Sequence, residues 1–255
     1  KNNSNLLLFV VGDSTANSFL PTVYPNYKNY KYDLINISMP GGVYLLNTKI
    51  ISKKNFNLKK FEFFEVLDAH VNLSLKVLEK VGGKYDKIII ILGQQFQNYF
   101  NDEVYFNLDE NLNIIKSKDS RIKNFETGLE NFIGKFNNLS NVRFLILKDY
   151  LKPNFDLEAC YGQNINENKK CKYFSYAQFN KKREILNFVL NKVSRSPNVK
   201  IYDPTKKFCN QQNCNLEFKE NYLSMFDESH PTVEFSKFIR NDFFLKNYKF
   251  IFNEF

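Results

Sequence analysis

Leu6-Leu7-Leu8-Phe9-Val10-Val11-Gly12-Asp13-Ser14-Thr15 is the stretch that decides the fold. A short apolar run without alternation is the pattern of a strand covered on both faces, the usual condition of a parallel strand. Residues 87–92 (KIIIIL) and 142–147 (VRFLIL) read the same way, and 33–37 and 198–202 complete a set of about five strands. Between and after them apolar residues recur at helical spacing over 61–81, 125–136, 179–193 and 233–245. The first of these helices stops at Gly82-Gly83, a favourable C-terminal cap. Alternating strands and helices predict a doubly wound α/β sheet with right-handed crossovers.

The stretches 49–60 and 101–123 are polar and irregular and read as loops or insertions, as does 155–172. No repeat, low-complexity tail or linker divides the chain, so residues 1–255 are read as one domain. With 43% hydrophobic and 25% charged residues, the composition is globular and excludes a disordered chain. The net charge of +9 would suit an acidic polymer, but the plainer reading, preferred here, is lysine on solvated faces. Lysine pairs such as Lys53-Lys54, Lys169-Lys170 and Lys206-Lys207 are scattered without interleaved aromatics, so no nucleic-acid partner is expected. No apolar run approaches the roughly 18 residues of a membrane span. No signal peptide is visible, and Lys1-Asn2-Asn3-Ser4 reads as a processed terminus or as the edge of a longer chain.

The cysteines are Cys160, Cys171, Cys209 and Cys214. An even count in two local pairs suggests disulfides and an oxidising compartment, and proximity favours Cys160–Cys171 and Cys209–Cys214. A structural zinc site and buried free thiols are the alternatives. The zinc reading lacks closely spaced knuckle pairs and a neighbouring histidine, so no metal is expected.

Two clusters carry chemistry. Gly12-Asp13-Ser14 follows the first strand, where ligands gather in open α/β sheets. A serine opening a helix there lies among N–H groups that favour negative charge, which suits a nucleophile whose attack creates an oxyanion. The plainer reading makes Ser14 or Thr15 an N-cap. The second cluster is Asp227-Glu228-Ser229-His230, just before the last helix. Histidine is the natural general base near neutral pH, and an aspartate three residues upstream can reach back to hold its tautomer. The plainer reading is a surface loop histidine. The other histidine, His70, sits inside a helical apolar pattern and is taken as structural.

Together, Gly12-Asp13-Ser14 and Asp227-x-x-His230 resemble the first and fifth sequence blocks of the SGNH (GDSL-type) hydrolase superfamily. The resemblance spans nearly the whole chain. It implies a flavodoxin-like, three-layer α/β/α sandwich with a mainly parallel sheet, a Ser14 nucleophile, and His230 and Asp227 as its partners. The family's second block supplies an oxyanion glycine, for which Gly41 stands here with Gly42 as a neighbour. The third block, normally Gly-x-Asn-Asp, reads Gly93-Gln94-Gln95-Phe96-Gln97-Asn98. Gln95 takes the asparagine position, with Asn98 as a substitute, so the implied oxyanion hole is Ser14, Gly41 and Gln95. Phe96 and Tyr99 after the third strand, Pro153 with a cysteine loop, and the order Cys209, Cys214, Tyr222, Asp227, His230 resemble one branch in particular. It comprises the SGNH domains fused to membrane-bound acyltransferases of family 3, which act outside the cytoplasmic membrane on surface polysaccharide or peptidoglycan.

That branch implies O-acyl transfer to, or removal from, a carbohydrate acceptor or acylated glycan, with acetyl as the favoured group. It also implies a fused or associated membrane acyltransferase, an extracytoplasmic location and no cofactor. Two rivals share the fold. A flavin module is suggested by the phosphate-loop look of Ser14-Thr15-Ala16-Asn17-Ser18. A catalytically impaired carbohydrate-binding domain is suggested by the altered third block.

Overall fold

The structure is a computed structural model that describes residues 5–24, 31–53, 60–100, 105–109, 111–136, 139–150, 157, 160, 173–210, 212–219, 222–227 and 230–253, with the backbone alone at 60–68 and 100. β1 (Leu6–Gly12) runs into α1 (Ser14–Val23), followed by β2 (Asp33–Ser38), β3 (Lys49–Ser52) and the long α2 (Lys60–Gly82). Next come β4 (Lys87–Gly93), α3 (Phe96–Phe100), β5 (Tyr105–Leu108), α4 (Lys118–Gly134) and β6 (Val142–Leu147). Then follow β7 (Tyr173–Ser175), α5 (Tyr176–Lys182), α6 (Glu184–Val193) and β8 (Val199–Tyr202). The chain closes with β9 (Asn213–Asn215), β10 (Glu217–Lys219), β11 (Tyr222–Leu223), α7 (Val233–Phe238) and α8 (Arg240–Phe252).

The five expected strands form one sheet in the order β2-β1-β4-β6-β8. Every pairing in it is parallel. Successive side chains of a strand point to opposite faces, and here both faces are covered. Leu7, Phe9 and Val11 pack with Val71 and Leu78 of α2, Phe125 and Leu129 of α4, and Leu186 and Val189 of α6. Leu6, Leu8 and Val10 pack with Ala16 and Phe19 of α1, Phe235 of α7 and Phe243 of α8. That is a three-layer α/β/α sandwich, and it explains why the strands read as unbroken apolar runs. Each fully buried aliphatic or phenyl side chain contributes on the order of 2 kcal/mol. Phe243 meets Phe19 and Tyr202 edge-on, its ring centre 5.1 Å from each of theirs.

Some boundaries differ from the sequence reading. The helix expected over 179–193 is broken at Arg183, and that over 233–245 at Ile239. The break sets Arg183, 2% exposed, against Asp203 and Thr205. The stretches 49–60 and 101–123, read as loops, contain β3 and β5 paired antiparallel, and the first turns of α4. Strands of four residues are too short to show a period. A disulfide joins Cys209 and Cys214, so these sulfurs are not metal ligands. Cys160 is also disulfide-bonded. Its expected partner Cys171, like most of the expected loop 155–172, lies outside the described residues. No helix among the described residues is long and apolar enough to cross a membrane.

Gly12 terminates β1 with φ +136°, and a Cβ there would stand 1.8 Å from the Gly93 carbonyl oxygen. No L side chain fits that approach. Gly12→Ala is expected to lose about 3 kcal/mol in chemical denaturation, and an unchanged midpoint would show that β1 and β4 can separate at no cost.

Candidate active site

The register of the sheet brings three strand ends level. Gly12 stands opposite Ser38 of β2 and Gly93 of β4. The strand order reverses between β2 and β4 on either side of β1, the position where open α/β sheets hold ligands. Ser14, the first residue of α1, lies at this edge. Its N–H belongs to the first turn of the helix, whose donors have no intrahelical acceptor.

Asp13, not Ser14 or Thr15, is the N-cap of α1. Its Oδ1 accepts the Thr15 N–H at 2.7 Å and its Oδ2 accepts the Gln95 N–H at 2.8 Å, while its own N–H donates to the Gly93 carbonyl at 3.1 Å. One carboxylate therefore ties the start of α1 to the segment after β4. Burial raises its pKa above the ordinary carboxylate value, opposed by the N–H groups of Gln95 and Thr15 and by the nearby His230.

The imidazole arrives from the other end of the chain. His230 Nε2 lies 2.7 Å from Ser14 Oγ. Its Nδ1 lies 2.7 Å from Asp227 Oδ2, and its backbone N–H donates to Asp227 Oδ1 at 2.8 Å. A carboxylate facing Nδ1 selects the tautomer with the proton there, which leaves Nε2 to accept from the serine hydroxyl. The turn is closed by the Phe226 N–H donating to the His230 carbonyl at 2.7 Å. Thr232 then caps α7, accepting the Phe235 N–H at 3.2 Å. Helices α1 and α7 are joined by hydroxyls. Thr22 Oγ1 donates to the Ser236 carbonyl at 2.7 Å, and Ser236 Oγ donates to the Ser18 carbonyl at 2.9 Å.

The remaining expected residues border the same edge. The Met39 N–H donates to the Gly12 carbonyl at 2.9 Å, which draws the loop after β2 towards Ser14. Gly41 is exposed and left-handed at φ +73°, with open space where a side chain would go. Gly42 is no substitute for it, because its N–H is engaged by the Met39 carbonyl at 2.8 Å. Gln95 and Asn98, weighed as alternatives, are bonded to each other. Asn98 Nδ2 donates to Gln95 Oε1, so the Gln95 amide keeps its NH₂ as a donor. His70 is half-buried, with Nε2 3.3 Å from the Ile37 carbonyl and its ring edge-on to Tyr44.

Sequence reasoning passed over Asp13 as a bridge, and it also missed Gln94 and Asp149. Asp13 could have been found from the N-cap preference for aspartate. Gln94 is fully buried; its Oε1 accepts the Tyr44 N–H at 2.8 Å and the Tyr99 hydroxyl at 3.2 Å. It thereby fastens the Gly41-Gly42 loop to the end of β4. Nothing in a polar Gln-Gln pair announces that one member is buried.

A family model described as an SGNH domain fused to AT3 domains matches residues 2–244. No curated protein matches the chain. Among solved structures, the periplasmic domain of the lipopolysaccharide acetyltransferase of Salmonella ser. Paratyphi A is 16% identical with a TM-score of 0.65, over 97% of this chain and 85% of that one. A gut microbial diltiazem-metabolizing enzyme is 11% identical with a TM-score of 0.45, over 94% of this chain and 46% of that one. At such identities the first likeness speaks for the fold alone, and the second carries no argument.

Removing the Gln94 amide strands the buried Tyr44 N–H and leaves the buried Tyr99 hydroxyl only the Gly42 carbonyl, at 3.5 Å. Gln94→Ala is expected to cost about 2 kcal/mol of stability, read by thermal or urea denaturation, whereas Gln95→Ala at the half-buried neighbour should cost well under half of that. Equal losses would mean that Gln94 is not the fastening.

Proposed function

Because the chain belongs to the family of SGNH domains fused to AT3 domains, we propose that it transfers or removes O-acyl groups, above all O-acetyl, on a cell-envelope carbohydrate through Ser14, His230 and Asp227. The observation that carries this reading is the hydroxyl–imidazole–carboxylate chain, 2.7 Å at each link. His230 takes the Ser14 proton as Oγ attacks the ester carbonyl, and Asp227 stabilises the imidazolium that forms. The tetrahedral oxyanion is received by the Ser14 and Gly41 N–H groups and by the Gln95 amide. Its collapse expels the alcohol, protonated by His230, and leaves an acyl-serine. A sugar hydroxyl or water, activated by the same imidazole, then releases the acyl group. Transfer and hydrolysis differ only in which of the two occupies the acceptor position. The chemistry calls on no metal or organic cofactor.

The family description supports a membrane acyltransferase as fused partner, and an extracytoplasmic site of action follows from that setting. The disulfide between Cys209 and Cys214 is compatible with it. A glycan-binding domain without turnover is the second reading, favoured by Gln95 standing where the family carries asparagine.

A fluorophosphonate should label Ser14, and Ser14→Ala should abolish labelling and reduce aryl-acetate turnover at least about 10³-fold. Intact Ser14→Ala protein that turns over at the wild-type rate would end the triad reading. Asp227→Asn should retain the fold and lose about 10²–10⁴ in kcat by favouring the wrong tautomer. Incubation with an acetyl donor and envelope glycans, followed by mass spectrometry for acetate gained or lost, separates transferase from esterase. Glycan retention without turnover, undisturbed by Ser14→Ala, would favour the binding domain.

A further inference from the structure

Asp149 follows β6, whose last residue Leu147 stands opposite Gly93 of β4. Its carboxylate is buried, yet it is directed at another strand's loop. Oδ1 accepts the Phe96 N–H at 3.0 Å and Oδ2 accepts the Gln97 N–H at 2.6 Å. With Asp13 on the Gln95 N–H, the consecutive donors of residues 95, 96 and 97 are held by two buried carboxylates from two strand ends. This is the segment that presents the Gln95 amide.

Asp149 is faced by groups from each neighbouring element. The Arg183 guanidinium, at the break between α5 and α6, favours its anion, and Asp13 at the start of α1 opposes it. Tyr99 of α3 is itself raised by burial and by both aspartates. Arg183 is shared with Asp203 at 3.3 Å and with Thr205 at 2.9 Å, so it compensates Asp149 only in part. Burial outweighs these partners and pushes the Asp149 carboxyl up to about 7.

We propose that Asp149 is a positioning residue for the Ser14 site: as an anion it holds residues 95–97 in the oxyanion-receiving geometry, and on taking up a proton it releases them and turnover falls. This rests on the function proposed above. A protonated carboxyl turns one of its two acceptors into a donor that faces an N–H, and the pairing is lost. The sign separates this role from ordinary capping. A folded-state pKa raised above the unfolded value gives stability that is present in acid and lost as pH rises through about 7. Activity that needs the anion rises over the same interval.

The test compares wild type with Asp149→Asn. At pH 8 the variant should lose about tenfold in kcat on an aryl acetate with KM changed less than about twofold. Its kcat should lose the part of the pH dependence that wild type shows around 7. A variant with wild-type kcat and an unchanged pH profile would overturn the proposal. Should the variant fail to fold, hydrogen exchange of the wild-type Phe96 and Gln97 amides decides. Protection corrected for intrinsic rates should fall as pH drops through about 7, and constant protection overturns the proposal. That measurement needs no turnover. Loss of protection in a chain whose turnover ignores Ser14→Ala would retain the anchor and discard the triad.

Discussion

The site exists because α1 and α7, from opposite ends of the chain, are held face to face by hydroxyl-to-carbonyl bonds. Ser236 is fully buried, and its carbonyl and hydroxyl both face α1. Arg240 adds a bond from its Nε to the Pro21 carbonyl at 3.2 Å. Small side chains at this seam let the helices approach closely, and each bond satisfies a group that burial would otherwise leave costly. The seam sets the position of the turn that precedes α7, and with it the distance between Ser14 and His230. A separation of 216 positions is closed to 2.7 Å.

Around that seam, buried polar side chains help to fix the loops at the sheet edge. Asp13, Gln94 and Asp149 each accept backbone donors from a segment other than their own. Such brackets hold loops that have no regular ladder of their own. Two of them, Asp13 and Asp149, are buried carboxylates beneath the edge that carries Ser14, and burial raises the pKa of both because ionisation is harder away from water.

The fold was legible because burial on both faces writes itself as uninterrupted apolar residues. The strand formed by Lys87–Gly93 shows this in its isoleucines. The four-residue strands Lys49–Ser52 and Tyr105–Leu108 gave no such sign, because their pairing is with each other and lies outside the main sheet. The helix breaks at Arg183 and Ile239 were invisible for a related reason. A one-residue break leaves no distinct mark in an apolar pattern, and at Arg183 it accompanies an ion pair with Asp203 that only the fold brings together.

Residue order alone determined the class of sheet, the place of Ser14 at its first strand end, and the local reach of Asp227 to His230 three positions away. These are short-range facts, governed by periodicity, by capping preference and by the span of one turn. Tertiary structure alone decided that the serine hydroxyl and the imidazole meet, that Gly42 is occupied by Met39, and that Gln94 and Asp149 are brackets instead of surface residues. Those outcomes depend on which backbone donors lie near which side chains after distant segments pack. A polar side chain carries no mark of its future partner until the fold has removed water from around it.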